Sequence, residues 1–150
     1  MKGWLLDTHV VSALASLSGA PSVKAWATGQ PEHRMFLSVL ALAEYDKGIH
    51  NLEPDHPDRS RYTAARDALA HRFSDRLLSV DDAIVYRWGA ISGDVKRRVR
   101  QAPPVIDTLL AATAIEHDLF LVTRNVKDTR HCGAVIFNPW EDDPSRFPLT

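Results

Sequence analysis

The chain has 150 residues, 45% hydrophobic and 25% charged, with a formal net charge of -1. That composition suits a chain with a real apolar core, and the length leaves little for a second domain, so one domain over residues 1–150 is expected. Overall charge this close to neutral excludes polyanion binding driven by the whole molecule; any such binding must come from a local patch.

Gly3-Trp4-Leu5-Leu6 is a short apolar run ending at Asp7 and reads as a first strand. Val10 to Leu17 reads as a helix. Pro21 opens a second helix through Trp26 and Gly29 closes it, the usual placement of these two residues. Met35-Phe36-Leu37 reads as a second strand. Ser38 is a plausible N-cap for a helix to about Lys47, with Gly48 as a stop. Residues 51 to 60 hold Pro54 and Pro57 and read as a loop. Arg61 to Arg76 is helical in pattern, with Tyr62, Ala65, Leu69 and Phe73 along one side. Leu77 to Val80 reads as a third strand, and Asp81 caps a helix running to about Ile91. Pro103-Pro104 breaks the chain before a helix from Val105 to His117. Leu119-Phe120-Leu121-Val122 is a continuous apolar run, as in a buried parallel strand. Val135-Ile136-Phe137 is a fifth strand.

Strands separated by helices predict an α/β fold with a parallel sheet. Ligands of such sheets bind beyond the carboxyl ends of the strands. Residues just after the strands therefore matter most: Asp7-Thr8, Ser38 with its helix, Asp81-Asp82 and Thr123-Arg124-Asn125. One cysteine, Cys132, excludes an internal disulfide and a four-cysteine zinc site, and suits a reducing cytosol. Asp7 and His9 interrupt the N-terminal apolar run too early for a signal peptide, and no stretch is long enough to cross a membrane. A cytoplasmic protein is expected.

Three carboxylates stand out. Asp7 directly follows strand one, where capping a helix is its ordinary role. Glu44 is placed by helical spacing beside Leu40, Ala41 and Gly48, in the apolar sector, where it needs a cation, a metal or a water-filled cleft; an arginine partner is the simplest alternative. Asp107 lies in the first turn of a closely packing helix, where the dipole favours negative charge. Oxygen ligands of this kind suit Mg²⁺ or Mn²⁺ rather than zinc. Two basic groups offer a path for a polyanion: Lys96-Arg97-Arg98 with Arg100, and Arg59, Arg61, Arg66, Arg72 and Arg76. The first run reads equally well as a solvated helix end.

Four segments carry a resemblance in order: Leu5 to Ser12, Leu37 to Glu44, Ile106 to Ala114, and Val122-Thr123-Arg124-Asn125 followed by Phe137-Asn138-Pro139-Trp140. The ordered set resembles the PIN-domain family, in its VapC and FitB branch, over nearly the whole chain. The resemblance implies a three-layer α/β/α sandwich with a parallel sheet of about five strands. It implies a ribonuclease dependent on Mg²⁺ or Mn²⁺, the toxin of a toxin–antitoxin pair, with RNA as substrate, an antitoxin protein as partner and a homodimer as assembly. Asp7, Glu44 and Asp107 would be the metal-binding acids. Asn125 stands where many relatives have a fourth acid, and Asp128 is the candidate to supply that charge. Thr8 and Thr123 would hold the acids or a water. His9 replaces a usual Asn, and Thr129 a common aromatic. Two rival readings remain: a phosphatase of the haloacid dehalogenase type, which wants a second Asp where His9 stands, and a PIN-like domain that binds RNA or a partner without cutting.

Overall fold

The computed structural model describes residues 1–150. Five parallel strands form one sheet in the order β3-β2-β1-β4-β5: β1 (Gly3–Leu6), β2 (Met35–Ser38), β3 (Leu77–Leu78), β4 (Leu119–Val122) and β5 (Ile136–Phe137). The helices are α1 (Thr8–Ala15), α2 (Pro21–Thr28), α3 (Val39–Asn51), α4 (Arg59–Arg72), α5 (Asp82–Val99), α6 (Val105–Glu116) and α7 (Val126–Thr129). Short 3₁₀ turns occupy Glu32–Arg34 and Pro144–Arg146.

Alternation along the strands splits the core in two. On one face Trp4 and Leu6 of β1 join Phe120 and Val122 of β4, Leu37, Phe137, and residues of α1, α2 and α3. On the other, Leu5, Leu119 and Leu121 meet Leu110, Ala111 and Ala114 of α6. The sheet is thus the middle layer of three, as its apolar strands require. Trp4 is 1% exposed, with ring centroids 4.9 Å from Phe120, 5.2 Å from Trp26 and 5.3 Å from Phe137. Small residues on α6 let it lie close to the sheet, and its buried Thr108 and Thr113 satisfy their hydroxyls on the Pro104 and Leu109 carbonyls, at 2.7 and 2.8 Å.

Several boundaries differ from the sequence reading. Helix α1 begins at Thr8 because Asp7 caps it, and Leu17 lies outside it, fully exposed. Helix α3 runs through Gly48 to Asn51; the glycine faces open space and stops nothing, and the helix ends ahead of Pro54, which disfavours helical backbone just before it. Helix α4 spans Arg59–Arg72, two residues earlier at its start, and buries none of its own residues; of the expected stripe only Phe73, at its C-cap, is buried. Helix α5 continues eight residues past Ile91 to Val99, since Ile84, Ile91 and Val95 keep one face on the core at helical spacing. The third strand keeps only Leu77–Leu78.

β1 approaches the turn before β2 closely: a Cβ on Gly3 would lie 2.3 Å from the Arg34 carbonyl oxygen. Gly3→Ala should therefore lower stability by about 1–3 kcal/mol, the usual cost of overpacking. Gly89→Ala, on the exposed side of α5 with nothing near the added methyl, should raise it by about 0.5–1 kcal/mol. Denaturant midpoints of the two variants check this; a neutral Gly3→Ala would show that the β1 approach is looser than described.

Candidate active site

The sheet order runs outward from β1 in both directions, to β2 on one side and β4 on the other. The crevice at such a switch point is where α/β sheets bind ligands. Asp7 leaves β1 there. Its N–H donates to the Val122 carbonyl at 2.9 Å, so the chain stays paired to β4 up to the acid itself.

Asp7 is 6% exposed, and each of its oxygens is engaged. Oδ1 accepts the Thr8 N–H at 2.7 Å, and Oδ2 accepts the Thr123 hydroxyl at 2.7 Å. The capping role is real, and it coexists with a second bond from the end of β4. Thr123 Oγ1 also accepts the Asn125 N–H at 3.0 Å. This fixes the turn that delivers Asn125, whose side-chain amide donates to Asp107 Oδ2 at 3.1 Å. Thr129, in place of an aromatic, is buried and donates its hydroxyl to the Asn125 carbonyl at 2.9 Å, closing α7.

Glu44 stands elsewhere than its helical spacing implied. It is exposed, not buried in the apolar sector; Ala41, Leu42 and Ile49 carry the core face of α3. It rises over the same edge, where the Thr8 hydroxyl donates to its Oε1 at 3.2 Å. Thr8 and Thr123 thus do hold the acids, one each.

Asp107, half-buried in the first turn of α6, feels the whole group. Burial raises its carboxyl pKa above the ordinary value, and the charges of Asp7, Asp128 and Glu44 raise it further, against a smaller lowering by the Asn125 amide. Asp128 therefore does bring charge to the cluster that Asn125 lacks. None of Asp7, Glu44, Asp107 and Asp128 has an ion pair with lysine, arginine or histidine. The arginine partner considered for Glu44 does not exist.

The arginine groups fare differently. Arg61, Arg66 and Arg72 pair with Asp58, Asp46 and Glu32, while Arg76 pairs with Glu32 and Asp75 and also donates to the Met35 carbonyl. These four are engaged with carboxylates, whereas Arg59, the fifth of the group, has no carboxylate partner and buries its Nε without a hydrogen bond. The end of α5 is more open. Arg97 pairs only with Asp94, and Arg98 reaches the His131 carbonyl at 3.1 Å, bringing the basic end of α5 beside α7. A cavity of about 490 Å³ between them is lined by Lys127, Asp128 and Arg130 among others. The basic run therefore flanks the acids.

No three of the histidine, cysteine, aspartate and glutamate side chains draw together tightly enough to enclose an ion on their own. Mg²⁺ does not need such a cage, because it keeps several waters and takes one or two carboxylates directly. The donor set of oxygens, unpaired with any cation, fits that kind of ion.

The raised Asp107 pKa has a sign. A carboxyl whose folded value lies above its unfolded value favours the fold when protonated, and that contribution is lost as pH rises from the ordinary aspartate range through the raised value. Without metal, Asp107→Asn should therefore melt higher than the wild-type protein at neutral pH, with the gap closing as the solution is acidified below about pH 4. Thermal melts in chelator across that range check it; a variant that melts lower at neutral pH would mean the Asp107 charge is already compensated.

A PIN domain model matches residues 4–131. Toxin FitB of Neisseria gonorrhoeae is 25% identical over 138 residues, covering 92% of this chain and 99% of FitB. VapC ribonuclease Y4jK of Sinorhizobium fredii is 28% identical over 145 residues, covering 91% of this chain and 97% of its own. The solved structure of FitAB bound to an IR36 DNA fragment superposes with a TM-score of 0.81 at 24% identity, over 93% of this chain and 97% of that one. With the three-layer fold, the acids at the switch point and a family match over most of its length, this chain belongs to the PIN-domain family.

Proposed function

We propose that this protein is an endoribonuclease that hydrolyses RNA phosphodiester bonds with Mg²⁺ or Mn²⁺, and that it acts as the toxin of a toxin–antitoxin pair. One observation carries the reading: Asp7, Glu44, Asp107 and Asp128 have no lysine, arginine or histidine partner, and the Asp107 pKa is raised first by burial and then by the charges of Asp7, Asp128 and Glu44. Like charges held together at this cost are what a cation site needs.

Asp7 and Asp107 would hold the ion, with Glu44 reaching it through water. A divalent cation held there supplies charge neutralisation for the phosphate and acidifies a water. The chain's own groups do the rest. Thr123 and the Thr8 N–H fix both Asp7 oxygens. Thr8 occupies one Glu44 oxygen and leaves the other to accept a proton from the attacking water. Asn125 orients Asp107 through its amide. The basic end of α5 with Lys127 and Arg130 would meet the RNA backbone. The antitoxin enters by likeness to Toxin FitB and to a solved member of the VapBC family of toxin–antitoxin systems, and a homodimer by the family resemblance alone.

The binding-only reading draws on Asn125 in place of an acid. Asp128 weakens it, since its charge acts on Asp107 from close by. Incubation with a mixed RNA pool, with Mg²⁺, with Mn²⁺ and with chelator, separates the two. Discrete cleavage that needs metal and falls at least about a hundredfold in Asp7→Asn and Asp107→Asn is expected, as for loss of charge-stabilising groups elsewhere. RNA retained by folded protein but never cut would favour the binding-only reading.

A further inference from the structure

Beside the acids, the carboxyl edge carries a second constellation. β4 and β5 end side by side: Val122 pairs with Phe137, and the Thr123 N–H donates to the Phe137 carbonyl at 3.1 Å. Arg124 and Trp140 leave the sheet from these neighbouring ends. The Arg124 guanidinium lies over the Trp140 ring, 5.1 Å from its centroid. With His9 and Asn125 they line an open hollow of about 530 Å³.

Trp140 is held in place. The Trp140 backbone N–H donates to Asn138 Oδ1 at 3.0 Å, the Asn138 backbone N–H donates to Asp142 Oδ2 at 2.8 Å, and the Trp140 side chain packs on the apolar core. Arg124 is exposed and has no carboxylate partner. Asn125 belongs to both places, since its amide also donates to Asp107. Asn125 therefore joins the hollow to the Asp107 carboxylate.

We propose that this hollow receives the base of an unpaired nucleotide flanking the phosphate that is cut, stacked on the Arg124–Trp140 pair, and so helps decide which RNA is cleaved. The proposal rests on the ribonuclease reading above. Its chemistry is that of single-stranded RNA recognition: bases splayed from their strand stack on aromatic rings and guanidinium planes and are read along their edges. Trp140 and Arg124 supply the planes. His9 and Asn125 supply groups that can donate and accept along an edge. Arg124 adds a positive charge for the adjoining phosphate. Trp140 is the one apolar side chain of the four lining residues, so an apolar ligand has little to bury there. A paired base would stay in its stack and out of the hollow.

The test uses a short single-stranded RNA that the protein cuts in Mg²⁺, prepared with the base removed at one position at a time on either side of the cleaved bond. With the wild-type protein one abasic position should cost roughly tenfold in kcat/KM, the scale of one base–aromatic stack. Arg124→Ala and Trp140→Ala should lose a similar factor on the intact RNA and nothing further on that abasic RNA, and Trp140→Phe should recover most of the loss. Arg124→Ala removes an exposed side chain and so keeps the test sound even if Trp140→Ala melts early. An abasic penalty equally large in the wild type and in Arg124→Ala overturns the proposal and leaves the ribonuclease standing. Cleavage untouched in Arg124→Ala, with only the binding of a protein partner weakened, overturns it too. A wild-type protein that cuts no RNA under either metal removes the ribonuclease reading, and the hollow loses its proposed occupant with it.

Discussion

The bond from the Thr123 hydroxyl to Asp7, with the Asp7 N–H on the Val122 carbonyl, ties the ends of β1 and β4 together at the one place where the sheet order turns back. The rest of the site hangs from that tie. Thr123 also sets the turn that presents Asn125, and Asn125 in turn holds Asp107. On the other side, the Thr8 that follows Asp7 holds Glu44. Asp7, Glu44 and Asp107 are thus each fixed by a neutral hydroxyl or amide, and none of them is paired with a cationic side chain. A fold that wanted only to bury these positions would have placed an arginine there or dispensed with the charge, since unpaired charge away from water is expensive.

Rigidity for that arrangement comes from the two cores on either side of the sheet. Trp4, Trp26, Phe120 and Phe137 lock one face, and α6 with its small residues locks the other. Asp7 and Asp107 sit at the N-terminal ends of α1 and α6, where helix dipoles soften but do not cancel the repulsion. In Asp107 burial and the neighbouring charges outweigh that help, and its pKa rises. The ion pairs of Arg61, Arg72 and Arg97 are exposed and contribute little to stability.

Much of this was legible in the residues, for physical reasons that differ by element. β1 and β4 read directly, because a run buried on both faces has no polar interruption until the strand ends. Asp7 and the two threonines stand directly after those ends, and Asp107 stood out by its place in the first turn of the helix that follows Pro104. Glu44 was found for a reason that failed: helical spacing put it among apolar neighbours, whereas the core face of α3 lies on Ala41, Leu42 and Ile49, and Glu44 overlooks the cleft. The basic group on α4 misled in the opposite way, since pairing with Glu32 and Asp46 depends on contacts between distant segments. The Arg124–Trp140 hollow was invisible for the same reason. Its walls are sixteen residues apart and become neighbours only because β4 and β5 pair. The extent of α5 beyond Ile91 depends on Val95, whose burial against the core carries the helix past Gly93.

Acids gathered to hold a divalent cation must bind one in the folded protein. Calorimetric titration of Mn²⁺ and Mg²⁺ into the wild-type protein, with melts run on the same samples, tests it most directly. The account predicts saturable binding and a melting temperature that climbs with metal concentration, both lost in Asp7→Asn, because an ion that binds only the folded state stabilises it by mass action. Melts unmoved by millimolar metal, with no binding heat beyond dilution, would contradict it.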